Sequence, residues 1–75
     1  MSSKLTDSNL TIMGQNLKKF RLATGLSQEK LAIKAGVHRN YMGQLERGEE
    51  NVSLLTLLKI TKVLKIKIKE LIGEL

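Results

Sequence analysis

Seventy-five residues, 41% hydrophobic and 27% charged, allow one domain with a small core, near the lower end of what folds unaided. Thirteen Lys and Arg against seven Asp and Glu leave a net charge of +6, which favours an anionic partner, nucleic acid first, although small domains are also basic for solubility alone. With no Cys there is no disulfide framework or thiolate metal site, and no apolar run approaches the roughly 18 residues of a membrane span. The N-terminus lacks the apolar core of a secretory signal, so a cytoplasmic protein is expected. The absence of Pro, with one Tyr and one Phe, suits short packed helices better than a sheet, and the fold is read as all-α.

Residues 1–10 are polar and read as a frayed lead-in, in which Lys4 could reach a phosphate. Residues 11–75 read as the single domain. A first helix is predicted from Thr11 to Thr24, with Met13, Leu17 and Phe20 facing inward, Lys18 and Lys19 solvated, and Gly25 stopping it. Arg21, next to Phe20, falls on the edge of the stripe that should be buried, where a lone charge would be costly. Leu26 anchors the next segment.

Ser27 can cap a second helix running to Ala35, since its hydroxyl can accept from an amide of the opening turn. Leu31, Ala32 and Ala35 make its apolar stripe. Gly36 sits where a helix needs a left-handed residue to stop, and Val37 follows as an apolar plug. A third helix, His38 to Arg47, turns Met42 and Leu45 to one side. Its other side carries Arg39, Asn40, Gly43, Gln44 and Arg47 at spacings of three and four, with no large apolar group. Arg, Asn and Gln have the forked donor and acceptor geometry that pairs two-pronged with guanine and adenine edges in a major groove, and a helix-turn-helix lays such a face on DNA.

The segment from Gly48 to Ser53 reads as a loop, with Gly48 as C-cap and Ser53 as cap of a fourth helix from Leu54 to Leu64. Leu54, Leu57, Thr61 and Leu64 share one face, with Ile60 beside it. Leu55, Leu58 and Val63 widen the apolar surface beyond what one core face requires, so part of it should seek a partner. In the tail, Lys65 to Leu75, the Ile-Lys alternation is a period-two signal that would ordinarily argue for an edge strand. A lone strand has nothing to pair with, so a turn and a short helix near Ile68 to Gly73 are expected, with strand pairing across a dimer as the alternative.

In Leu-Ser-Gln-x-x-Leu-Ala from Leu26, the Ala-Gly-Val turn at Ala35, Glu-Arg-Gly at Glu46 and the Leu-rich helix after Asn51, the chain resembles the lambda-repressor and Cro type (XRE family) helix-turn-helix regulators. The resemblance runs from about Met13 to Leu71. His-Arg-Asn-Tyr from His38, followed by Glu-Arg-Gly-Glu-Glu-Asn, is most similar to the small controller proteins of restriction-modification systems. It departs from the family pattern at Val52, where Pro is common, at Lys65, where a turn Gly is usual, and at Lys67, where a capping Ser is usual.

The resemblance implies a compact five-helix domain and a homodimer binding double-stranded DNA at a near-palindromic operator. It carries Arg39, Asn40 and Gln44 onto base-reading positions with His38 and Gly43 at the margin, and Ser27, Gln28, Tyr41, Asn51 and Ser53 to phosphate, where Arg47 is also expected. Glu46 is the natural partner of Arg21, and the resemblance implies the same pairing. Glu49 and Glu50 stand in a loop near phosphates and should point outward or meet a partner subunit. Leu55, Leu58, Ile66, Ile68, Leu71, Ile72 and Leu75 are assigned to a dimer seam rimmed by lysines. RNA polymerase stands as a further candidate partner.

Other classes have weaker support. His38 is the only His and no clustered carboxylate or Gly-rich phosphate loop accompanies it, so neither a metal site, an enzyme, a cofactor nor a small-molecule ligand is expected. A phage-type or general repressor would share most of these letters. An antitoxin-like interaction module would need a further segment to hold a toxin, and a basic tail on an anionic membrane explains residues 65–75 less simply than a dimer seam does.

Overall fold

Helices after the first are bounded by groups that the sequence places at their ends. The computed structural model describes residues 7–73, the Asp7 side chain excepted, and these form α1 (Asp7–Ala23), α2 (Gln28–Ala35), α3 (Arg39–Glu46), α4 (Leu54–Leu64) and α5 (Ile68–Ile72), with no strand among the described residues. Lys4 and Leu75, with the roles expected of them, lie outside the described residues. Ser27 Oγ accepts the Lys30 amide at 3.0 Å, His38 Nδ1 the Asn40 amide at 3.1 Å and Ser53 Oγ the Thr56 amide at 3.1 Å, so α2, α3 and α4 each begin on a side-chain cap. Lys67 has no side-chain acceptor with which to cap α5. Glu70 secures the same end from inside the helix by a different bond, its carboxylate accepting the Lys67 amide at 2.8 Å while its own amide donates to the Lys67 carbonyl at 3.0 Å.

The turn between α2 and α3 needs a left-handed residue, and Gly36 provides it at φ 71°, letting the Val37 amide reach back to the Ala32 carbonyl at 2.9 Å. At the end of α4 the same conformation falls on Lys65, φ 58°, a site where the Cβ is penalised. The Ile66 amide still closes onto the Thr61 carbonyl at 3.1 Å, so the Gly expected from the resemblance is replaced without loss of the turn.

Met13, Leu17, Leu31, Met42, Leu45, Ile60 and Leu71 are fully buried and come from all five helices. Helix α1 packs on α3 and α5, α2 on α3 and α4, and α4 on α5. Gly14 sets the closeness of α1 to α3, because a Cβ there would stand 2.5 Å from the Leu45 carbonyl oxygen and 2.6 Å from that of Glu46. Asn16 Nδ2 donates to the Leu71 carbonyl at 2.9 Å and ties α1 to α5.

Three expectations change. Helix α1 starts at Asp7, not Thr11, and Leu10, three residues before Met13, joins the core instead of a frayed lead-in. Leu54 is 64% exposed in the first turn of α4, while the core place beside it is taken by Val52. Leu71 is fully buried within the monomer, because the tail is helical and α5 turns that side chain toward α1; it is not available for a seam between subunits.

Candidate nucleic-acid interface

Helix α3 buries Met42 and Leu45 and leaves Arg39 and Asn40 exposed and Gln44 half-buried on the other side. Those three residues, with Gly43, Arg47 and Gln28 from the start of α2, line one open, shallow cleft of about 510 Å³. No carboxylate and no large apolar group lines it. Gly43 lies at its floor, where a Cβ would meet Arg47 Nη1 at 3.2 Å and Gln28 Oε1 at 3.6 Å; the small residue lets both polar side chains close over the backbone. Of the residues expected to read bases or hold phosphate, the fold thus brings six together.

A buried polar network fixes the cleft. The Arg21 guanidinium, from the last turn of α1, donates through Nε to Glu46 Oε2 at 2.5 Å and through Nη2 to Glu46 Oε1 at 3.0 Å, the two-pronged geometry that Arg forms with a carboxylate. Its Nη1 donates to the Leu26 carbonyl at 2.8 Å. Gln28 Nε2 donates to the same Glu46 Oε1 at 3.0 Å. Arg21 and Glu46 are 7% and 8% exposed, so neither can exchange its partner for water. The pairing expected from the sequence is present, and it does more than neutralise a charge. It locks α1, α2 and α3 in one relative placement, and leaves the Gln28 amide oxygen on the cleft.

The other expected contact residues are engaged in the scaffold. Ser27, His38 and Ser53 are the caps described above. The half-buried Tyr41 donates its hydroxyl to the Asn51 carbonyl at 3.0 Å, and Asn51 Oδ1 accepts the Val52 amide at 2.9 Å, which fastens the loop 48–53 to α3. Burial holds the Tyr41 phenol above its ordinary pKa, with the nearby Thr56 hydroxyl pulling it down and the charge of Glu50 pushing it further up.

Glu49 and Glu50 turn to their own loop. Glu49 Oε2 accepts Arg47 Nε at 2.9 Å in a pair that is more than half exposed, and Glu50 Oε1 accepts the Asn51 amide at 3.2 Å. The Arg47 pairing escaped the sequence reading, although Arg-Gly-Glu with a left-handed Gly48 is the signal that folds Glu49 back onto α3. On the seam assigned to dimerisation, Leu55 and Leu58 are 62% and 48% exposed, whereas Ile66, Ile68 and Ile72 are partly buried against the monomer core. Among the described residues no helix is long and apolar enough to cross a membrane, and no group of His, Cys, Asp or Glu is placed to hold a metal ion.

Two short helices joined by a glycine turn, the second presenting a polar face and both clamped to a third helix, define a helix-turn-helix protein. The chain belongs to the helix-turn-helix family HTH_3, whose model matches residues 17–71. It is 39% identical over 69 residues to the control protein C.BamHI of Bacillus amyloliquefaciens, a match covering 91% of this chain and 85% of that one. The crystal structure of the restriction-modification controller protein C.AhdI from Aeromonas hydrophila superposes with a TM-score of 0.82 at 47% identity, over 85% of this chain and 97% of that chain. SinR, the master regulator for biofilm formation, solved in complex with DNA, superposes with a TM-score of 0.76 at 37% identity, over 79% of this chain and 95% of that chain. The protein is a transcriptional regulator of this family, similar to restriction-modification controllers.

Proposed function

We propose that the protein binds double-stranded DNA as a homodimer at a near-palindromic operator and serves as the controller of a restriction-modification system. The observation that carries this reading is the cleft on α3, where Arg39, Asn40 and Gln44 project from a helix held on a rigid polar clamp with no acidic group among them. In this reading those three side chains take base edges in the major groove. Gln28, anchored on Glu46 and standing at the start of α2, takes a phosphate that the opening amides of the helix also attract. Arg47, at the far end of the same face, is paired with Glu49 in a half-exposed bridge and exchanges that carboxylate for a phosphate on binding.

One such helix reads only a few base pairs, so specificity calls for two copies about 34 Å apart on one DNA face. The exposed Leu54, Leu55 and Leu58 on α4 form an apolar patch that a second copy would cover. The likeness to C.BamHI and C.AhdI supports the controller assignment. RNA polymerase at the regulated promoter is part of the proposal and rests on that assignment alone.

Selection of bound sites from random duplexes, read together with the genes that flank matching sites, tests the reading. A two-fold symmetric site upstream of a restriction-modification operon is expected, with affinity falling steeply as salt rises through counterion release. No enrichment of any sequence, or only monomer in sedimentation at micromolar concentration with and without the selected duplex, would contradict it.

A further inference from the structure

The surface where the C-terminal ends of α2 and α4 meet has no part in reading DNA as proposed above. Two open clefts of about 500 and 400 Å³ lie there, and both are lined by Lys34, Lys62 and Val63, so they form one continuous groove between the helices. Leu26 and Lys65 line one cleft, Ile33 and Lys59 the other, and neither shares a residue with the cleft on α3. No carboxylate lines the groove, and none of its four lysines is in an ion pair among the described residues.

Helix polarity accounts for part of this pattern. Lys34 and Lys62 stand in the last turns of α2 and α4, where the helix dipole favours a cation. It does not account for Lys59, a turn earlier, nor for Ile33, which is 71% exposed on the same cleft as Lys34, Lys59 and Lys62. An apolar strip ringed by four uncompensated ammonium groups is complementary to a surface that is apolar at its centre and anionic at its edge. A phosphate backbone meets only half of that description, since it would leave Ile33 and Val63 uncovered. A second copy of this chain does not meet it either. Its acidic residues are scattered, Glu46 is buried, and the one adjacent pair, Glu49 and Glu50, is engaged with Arg47 and the Asn51 amide.

We propose that this groove docks an acidic segment of a second protein, which places one large apolar side chain on Ile33 and Val63 and flanking carboxylates on Lys34 and Lys62. The regulator thereby has two faces of opposite use, one for DNA and one for an acidic protein partner.

The test is a backbone-amide NMR titration of the full chain, without DNA, with a synthetic acidic dodecapeptide of Asp and Glu carrying a central Leu and Phe. The peptide should shift the amides of Ile33, Lys34, Lys62 and Val63. Its affinity should fall about tenfold in the Lys34→Glu, Lys62→Glu double variant and severalfold in Ile33→Ser, both at exposed positions whose fold is checked by circular dichroism. Equal binding by a control peptide with Ser for Leu and Phe would overturn the proposal, as would no binding at all, shifts at Arg39, Asn40 and Gln44 instead, or the same groove amides responding to a random duplex. Because no DNA is present, failure here leaves the reading of α3 standing, and failure of DNA binding leaves the groove standing.

Discussion

Replacing Glu46 by Ala removes the acceptor of three hydrogen bonds at once, two from Arg21 and one from Gln28. The Arg21 guanidinium, 7% exposed, keeps only the Leu26 carbonyl, and a buried charge stripped of its counterion costs about 3 to 5 kcal/mol. A chain of this length is stable by about 4 to 11 kcal/mol in total, so the variant should lose roughly a quarter of its stability or more. For a domain this small, about 4 to 8 °C of Tm accompanies each kcal/mol, and a fall of at least roughly 12 °C is expected. Urea denaturation followed by far-UV circular dichroism, at matched protein concentration so that association does not enter, reads the difference directly. The Arg21→Met, Glu46→Leu double variant removes both charges and should be less destabilised than Glu46→Ala alone, although it leaves the Gln28 amide without its acceptor. A loss under about 1 kcal/mol in Glu46→Ala, the size found for solvent-exposed pairs, would refute the claim that this network clamps α1, α2 and α3.

Gly14→Ala tests the contact of α1 with α3: helix propensity alone would stabilise it by about 1 kcal/mol, but a Cβ 2.5 Å from a backbone carbonyl forces the helices apart, and thermal melts should show a net loss of about 1 to 3 kcal/mol. Lys65→Gly should raise stability by about 1 kcal/mol by relieving the left-handed Cβ, and Lys65→Val should lower it; equal melts for all three would show that the turn carries no strain. Tyr41 has a phenol whose folded pKa lies above its usual 10.0, so its contribution is complete below that value and is lost as pH rises through the higher folded one. Tyr41→Phe should cost about 1 kcal/mol at neutral pH through the lost bond to the Asn51 carbonyl, and should show a shallower alkaline fall in denaturant midpoint than the parent.

Helices α2 and α4 were legible in the sequence because each combines a periodic apolar stripe with a Ser cap at the start, and α3 because Met42 and Leu45 share one side between Gly36 and Gly48; the left-handed end of α4 was not, since it falls on Lys65 where a Gly would signal it. The Arg21 to Glu46 pair was legible for a different reason, a charge on a buried stripe that had to be met. What escaped depends on tertiary contact. Gly14 looks like a weak spot in a helix until the carbonyls of α3 are seen against it. Ser8 and Asn9 hide that Leu10 continues the stripe of Met13 and Leu17. The alternating tail does not say which of its apolar residues face inward; once α5 forms, Leu71 is inside and Ile68 and Ile72 flank it. On the candidate site, the residue types and their spacing on α3 identify the polar row, and an amide at Gln28 is suited to bond α3 as well as phosphate, whereas the choice of Glu46 as its acceptor and the pairing of Arg47 with Glu49 depend on distances no sequence states.

The most direct measurement is a competition titration of the selected operator against a random duplex, for the parent, Arg39→Ala and Gln28→Ala. Arg39→Ala should lose about 1 to 3 kcal/mol of preference for the operator, while Gln28→Ala should weaken both duplexes by the same factor. Equal loss on operator and random DNA in Arg39→Ala, or a change of preference in Gln28→Ala alone, would contradict the division of labour on which the account rests.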